Sequence, residues 1–397
     1  MNILVAGSTF PSGALDGAAP RFVYDLAESL SEHATVVALA PHEPGSARRE
    51  RMGNVQVERF RYWWPAAGQA LTPNMRQRLQ ASWLARLQVP FFFVSQILAF
   101  RRLVRRRDID VVNAHWLVPQ GLSAVLAGHL TRKGFRLALH VHAGDVYLLA
   151  RLPFGGLIAR HVVRRAHCIF AAGSHVRDTL DDLIGYPSKA RLQPMGVHSD
   201  VFGNEASVPS ETIDFPDGFI VSVGRFVEKK GTIYLIRAMP LIREQYPGLG
   251  LVLVGSGPDE EVLKAEVERL DLGGKVLFVG HQPHAAVAGY LQHCRAAAVP
   301  SIIDSRGETE GMPTVVIEAM AAGVPVVGSN VDGIPDVVRH EENGWLCHEK
   351  DPEDLARKLL IALDTAGESG VASEAVRTAE AFEWSRLGRR YYEALRP

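Results

Sequence analysis

The feature that most constrains this chain is a repeated alternation of short apolar runs with amphipathic segments, broken once near the middle. In the first half the apolar runs fall at residues 3–6, 35–40, 55–60, 111–114, 137–141, 168–172 and 191–195. Runs of that length suit strands buried on both faces. Between them lie helical patterns: in residues 21–33, Phe22, Leu26 and Leu30 share one face. Strands alternating with helices predict βαβ units and a parallel sheet covered on both sides. Residues 203–218 (GNEASVPSETIDFPDG) are rich in Pro, Ser, Asp and Gly, have no period, and read as a linker. A second series follows, with strands at 220–223, 251–254, 276–279, 297–299 and 324–328, and helices at 232–244, 259–270, 285–293 and 313–322. The prediction is an α/β chain with two Rossmann-like domains whose parallel sheets face a central cleft. Ligands of such sheets bind beyond the carboxyl ends of the strands. The expected division is 1–203, a linker at 204–218, a second domain at 219–380, and a C-terminal helix at 381–397 packing back on the first domain.

The 397 residues are enough for two or three cores, and 47% hydrophobic with 22% charged residues is ordinary for a globular protein. A net charge of −1 argues against a nucleic-acid partner. Cys168, Cys294 and Cys347 are far apart and lack CxxC spacing, which argues against a disulfide framework or a zinc site and fits a reducing cytosol. The opening MNILVAGSTF has no basic leader and reads directly as a strand.

Four segments carry chemistry. Glu310-Gly-Met-Pro-Thr-Val-Val-Ile-Glu318 sets two carboxylates eight residues apart around a turn that opens a helix. The turn and the helix N-terminus suit a phosphate, with Glu310 reading sugar hydroxyls and Glu318 a ribose. Gly224-Arg-Phe-Val-Glu-Lys-Lys-Gly231 follows the first strand of the second half, and Arg225, Lys229 and Lys230 there can stabilise a departing diphosphate. His140-Val-His-Ala-Gly-Asp145 closes a strand; alternation puts His140 and His142 on one side, with His142 at the carboxyl end. The loop from Gly7 to Gly17 follows the first strand, and its glycines permit close approach to a phosphate or an acceptor. Val254-Gly-Ser-Gly-Pro-Asp-Glu260 half-matches a dinucleotide fingerprint but has Glu260 where the third glycine belongs.

In this order the motifs resemble glycosyltransferase family 4, retaining enzymes of the GT-B fold. GRFVEKKG resembles the family's Arg/Lys phosphate loop, EGMPTVVIE with AMAAGVPVV its E-x7-E motif and following strand, and HAGD its first-domain histidine turn. STFPSGALDGAAPRFVYDLAESL and NAHWLVPQGL resemble members that build bacterial cell-surface polysaccharides. The resemblance implies that Arg225 and Lys230 hold the donor diphosphate, Glu310 the donor sugar and Glu318 the ribose. Gly311, Met312, Pro313 and Thr314 line the donor site, and His142 reaches the sugar from the acceptor-binding first domain. Gly13 and Gly17 would belong to the acceptor or phosphate loop. Many members pair two adjacent glycines there, and many carry Gly where this chain has Ala143. The implied reaction is metal-independent hexosyl transfer without a cofactor, from a nucleotide sugar to a saccharide or lipid-linked acceptor, with a UDP-sugar favoured over a GDP-sugar.

The stretch from Trp83 to Arg107 (WLARLQVPFFFVSQILAFRRLVRRR) joins an apolar segment to five arginines, with Pro90 expected to begin or bend the helix. Its core, Val89 to Arg107, fits either an anionic membrane surface or a domain helix with its arginines in solvent. The expected location is cytoplasmic, with peripheral attachment to the inner face of the cell membrane. Two other readings compete. A nicotinamide-dependent oxidoreductase requires an intact GxGxxG followed by an acidic residue, a pair the sequence does not supply. A non-catalytic nucleotide-binding GT-B relative would have no need to keep His142, Arg225, Lys230, Glu310 and Glu318 together.

Overall fold

The computed structural model describes residues 1–12, 21–72, 75–203, 214–365 and 369–396, the side chains of 76 and 369 aside. Gly13, Gly17 and most of the expected linker lie outside the described residues. The chain forms two compact units: Met1–Ala172 with Val176–Gln193 and Trp384–Pro397, and Gly173–His175 with Pro194–Glu383. The division after Gln193 precedes the compositional break at Gly203, because the segment from Pro194 onward joins the second unit.

The first unit is built on eight strands: β1 (Asn2–Ala6), β2 (Thr35–Pro41), β3 (Arg49–Met52), β4 (Val55–Phe60), β5 (Val111–His115), β6 (Arg136–Val141), β7 (Ala166–Ala171) and β8 (Arg191–Leu192). Their order is β3-β4-β2-β1-β5-β6-β7-β8. Every pairing is parallel except that of β3 with β4. The central strand needs an apolar run because helices cover both faces, and Ile3, Leu4, Val5 and Ala6 are fully buried. Strand β3 reads RERM. It sits at the sheet edge, where charge is tolerated and apolar periodicity is not required, so its sequence carries no strand signal.

The second unit carries β9 (Phe219–Val223), β10 (Gly250–Val254), β11 (Val276–Gly280), β12 (Ala296–Val299), β13 (Val326–Ser329) and β14 (Trp345–Cys347). These form one parallel sheet in the order β11-β10-β9-β12-β13-β14. Its two faces carry separate apolar clusters, one including Val221, Val252, Ala297 and Ile317, the other Ile220, Leu251, Leu253 and Trp345. Strand β14 is only three residues long, too short to show a period.

Two helices of the first unit bear on function. The Trp384–Leu395 helix adds a C-terminal element: Ser29 Oγ donates to the Trp384 carbonyl at 2.5 Å, and the Tyr391 ring stacks on Phe170 at 4.0 Å. The Trp83–Arg106 helix runs for 24 residues straight through Pro90. By length and composition it suffices to cross a membrane, and a third of its most apolar window is buried within the unit. Phe92, Phe100, Leu103 and Val104 enter the core, and the buried Gln88 accepts from the Ala70 amide at 2.9 Å.

Candidate active site

The loops at the carboxyl ends of β9 and β12 meet in the second unit. After β9 the chain turns through Gly224–Gly231. Gly231 adopts φ +64°, and a Cβ there would lie 1.9 Å from the Pro300 carbonyl oxygen, so only glycine lets this loop seat against the end of β12. The seating aims two lysines at one carboxylate: Lys229 Nζ is 2.9 Å from Glu310 Oε1, and Lys230 Nζ is 3.2 Å from Oε2. Burial pushes the Glu310 carboxyl up, but Lys230 and then Lys229 more than offset this and hold it at about 2. A small pocket beside Lys230 is lined by Gly224, Phe226, Thr232, Pro300 and Ser301. Arg225, in the same loop, is exposed. The sequence places Lys229 and Lys230 together in this basic turn, and the family resemblance singles out Lys230; the geometry engages both.

Glu310 and Gly311 precede the Thr314–Ala321 helix, and Pro313 is its N-cap residue. Glu318, one turn in, is buried at 7% exposure. Burial raises its carboxyl, opposed by His284, whose Nε2 lies 3.7 Å from Glu318 Oε1, and by the Thr314 hydroxyl. His284 was not singled out from sequence, since a lone histidine at a helix start carries no motif. The Gly333 amide donates to the Gly311 carbonyl at 3.0 Å, tying the loop after β13 to the Glu310 turn.

In the first unit, His142 follows β6 and sits at the N-cap of the Ala143–Arg151 helix. Asp145 joins two sequence motifs there: its Oδ1 accepts from the His142 amide at 3.0 Å and its Oδ2 from the Leu117 amide at 2.5 Å. Burial raises the Asp145 carboxyl to about 7 against those amides. His142 Nε2 faces His115 Nδ1 at 3.2 Å, while the His140 ring stacks on His142 at 4.6 Å and its Nδ1 meets the Tyr391 hydroxyl at 2.5 Å. Burial holds the His142 imidazole at about 3 and pushes His115 and His140 well below the usual histidine range, so the cluster is neutral. His115 lies in the NAHWLVPQGL stretch, to which the sequence gives no chemical role, and Tyr391 lies in no motif. The nitrogens of His115, His140 and His142 converge closely enough for a metal. Hydrogen bonds occupy His115 Nδ1, His142 Nε2 and His140 Nδ1, while His115 Nε2 and His140 Nε2 are buried without a partner.

Comparison with known proteins assigns the chain. Residues 19–201 match the Glycosyltransferase Family 4 domain and residues 204–378 the Glycosyl transferases group 1 domain. The chain belongs to glycosyltransferase family 4 and is a glycosyltransferase of the GT-B fold. Among its relatives, the amylovoran biosynthesis glycosyltransferase AmsK of Erwinia amylovora is 37% identical over 36% of this chain and 35% of its own length. That match therefore spans about a third of the relative. The GDP-mannose-dependent alpha-(1-6)-phosphatidylinositol monomannoside mannosyltransferase of Mycobacterium tuberculosis is 27% identical over 75% of this chain and 78% of its own. Sucrose-phosphate synthase from Thermosynechococcus elongatus shares the fold at TM-score 0.76 and 22% identity, covering 99% of this chain and 97% of its own. HepE of Anabaena, solved with UDP, does so at TM-score 0.73 and 18% identity, covering 99% of each chain.

Proposed function

We propose that the chain transfers a hexosyl group from a nucleoside diphosphate sugar to a saccharide or lipid-linked acceptor with retention of configuration, without a metal, in cell-surface polysaccharide or glycolipid synthesis. The observation that carries this is the pairing of Lys229 and Lys230 with Glu310 at the strand ends of the second unit. As the bond from the anomeric carbon to the diphosphate oxygen breaks and the bond to the acceptor oxygen forms, negative charge grows on the diphosphate. Fixed cations then stabilise the transition state more than the ground state. In this reading Arg225 and Lys230 take the diphosphate, Gly311, Met312, Pro313 and Thr314 line the donor, Glu318 takes the ribose, and Glu310 and His142 take the sugar. The mycobacterial relative is GDP-mannose-dependent, and HepE was solved with UDP and with UDP-glucose. A UDP-sugar is the first candidate here and a GDP-sugar the second. Thermal shift with UDP, GDP and their sugars tests the reading: a ligand at 100 times its Kd adds about 2.7 kcal/mol of stability. No shift with either nucleotide at millimolar concentration overturns it.

The acceptor side of this proposal places the enzyme on the cytoplasmic face of an anionic membrane. On the Trp83–Arg106 helix, Trp83, Leu87, Phe91, Val94 and Leu98 recur at helical spacing and are all exposed, Trp83 by 75%. The same stripe continues into exposed Arg101 and Arg105. Trp63 packs edge-on against Phe91 at 5.2 Å, and Trp64 beside it is 80% exposed. Aromatic and aliphatic side chains beside arginines suit the headgroup boundary of an anionic bilayer.

A further inference from the structure

The loop after β13 carries a carboxylate that the motifs do not account for. Asp332 is only 9% exposed, and neither of its oxygens closes a hydrogen bond. The Thr309 hydroxyl faces it and is itself buried without a partner in ordinary hydrogen-bond geometry. A buried polar group left this way loses its hydration with nothing to replace it. Asp332 holds φ +57°, the left-handed region that Asp enters more readily than most residues with a Cβ. An orphaned, buried carboxyl beside the Glu310 turn marks a position built for something other than stability.

The position of that carboxyl narrows its role. The next residue, Gly333, donates to Gly311, and a Cβ on Gly333 would approach the Gly311 carbonyl to 2.3 Å. Asp332 is thereby fixed beside the Glu310 turn, close enough that the two carboxyls repel and Lys229 acts on both. Burial, and then Glu310, push the Asp332 carboxyl up to about 8, so near neutrality Asp332 carries a proton while Glu310 does not. One group that donates stands next to one that accepts, an arrangement that can bind two hydroxyls differing in hydrogen-bond direction.

We propose that Asp332 is a specificity-determining residue that hydrogen-bonds a hydroxyl of the donor sugar alongside Glu310, with Thr309 completing its surroundings. This rests on the donor-site reading above. A buried polar group discriminates strongly, because a sugar lacking the matching hydroxyl leaves the carboxyl unpaired, as a purely apolar pocket cannot.

The test compares Asp332→Gly, Asp332→Asn and the unmodified protein. Glycine accommodates the positive φ freely, so this substitution adds no backbone cost. Calorimetry measures each protein against UDP, GDP and the sugar conjugates of whichever nucleotide binds, including epimers and deoxy-sugars. The expected result is unchanged affinity for the bare nucleoside diphosphate, with the advantage of the preferred sugar over its epimers falling about tenfold or more in Asp332→Gly and partly restored in Asp332→Asn. Unchanged discrimination among sugars in Asp332→Gly overturns the proposal and leaves the donor site standing. Failure of the unmodified protein to bind either nucleotide overturns the donor-site reading instead. Loss of bare-nucleotide affinity in Asp332→Gly also counts against the proposal, because it places Asp332 at the diphosphate rather than the sugar.

Discussion

Lys230 Nζ lies 3.2 Å from Glu310 Oε2, so a residue assigned to the donor diphosphate is ion-paired with one assigned to the donor sugar. Under the proposed assignment the pair would couple recognition of the two donor parts, since a diphosphate that recruits Lys230 would free a Glu310 oxygen for a hydroxyl.

The first prediction separates the two cations. Arg225 is exposed, whereas the Lys230 side chain is 17% exposed and holds a half-buried carboxylate. Arg225→Ala and Lys230→Ala are each expected to lower turnover by roughly a hundredfold, as loss of one preorganised charge stabiliser does. Only Lys230→Ala is expected to lower the melting temperature, by an amount corresponding to about 1–2 kcal/mol, because Lys229 remains to hold Glu310. Near-normal turnover in both variants would show that the diphosphate binds elsewhere.

This difference marks where sequence reading stopped. The strand–helix series, the Glu310 and Lys230 motifs and the His142 turn were legible because local periodicity and short spacing encode them. The pairing of Lys230 with Glu310 was not, since it depends on two loops 80 residues apart meeting at adjacent strand ends. Asp332 had no motif, and His115 and Tyr391 reach the His142 cluster only through β5 and the last helix. Strands β3 and β14 were missed because one is charged and the other is three residues long.

Asp332 also sets a pH dependence. Its folded carboxyl titrates near 8, raised by burial and by Glu310, against an ordinary value near 4 in the unfolded chain. Between those values the native state binds the extra proton, so stability falls as pH rises, by at most about 1.4 kcal/mol per pH unit. Glu310, lowered to about 2, contributes stability above the ordinary glutamate value and loses it only as pH falls toward 2, outside this window. Denaturant titration should therefore show Asp332→Asn gaining on the unmodified protein steadily from pH 5 to 8. A constant difference would mean that Asp332 is ionised throughout.

His142 belongs to the first unit, and the residues assigned to the nucleotide all belong to the second. His142→Ala is expected to leave the calorimetric Kd for the bound nucleoside diphosphate within about twofold while turnover falls at least tenfold. Because burial keeps the imidazole neutral down to about pH 3, turnover of the unmodified enzyme should show no histidine limb near pH 6.5. Parallel losses of nucleotide affinity and turnover would show that this division of labour is wrong.

Stereochemistry is tested directly. An α-linked donor is expected to give an α-linked product, and turnover is expected to persist in excess EDTA. One adjacent aspartate pair, Asp181 and Asp182, lies on the Ser174–Ile184 helix, with Asp181 accepting from the Ser188 amide at 2.8 Å. NMR showing an inverted anomeric centre, or EDTA abolishing turnover that Mg²⁺ restores, would overturn this part of the proposal.

The membrane prediction follows from how the helix divides its arginines. Arg102 and Arg107 reach the buried Glu58 at 3.2 and 3.3 Å, so their charge serves the fold. Arg101, Arg105 and Arg106 are exposed beside the stripe from Trp83 to Leu98. Reversing those three should abolish sedimentation with anionic vesicles without unfolding the domain, whereas reversing Arg102 or Arg107 should destabilise it by leaving Glu58 undercompensated. Binding of the unmodified protein should weaken as salt rises, because exposed charges are screened over about 10 Å at 0.1 M. Phe91→Ser with Leu98→Ser should weaken binding at every salt concentration, since the apolar contribution is not screened. Equal sedimentation with neutral and anionic vesicles would remove the arginines from the interaction, and no sedimentation with either would leave the stripe without a membrane role.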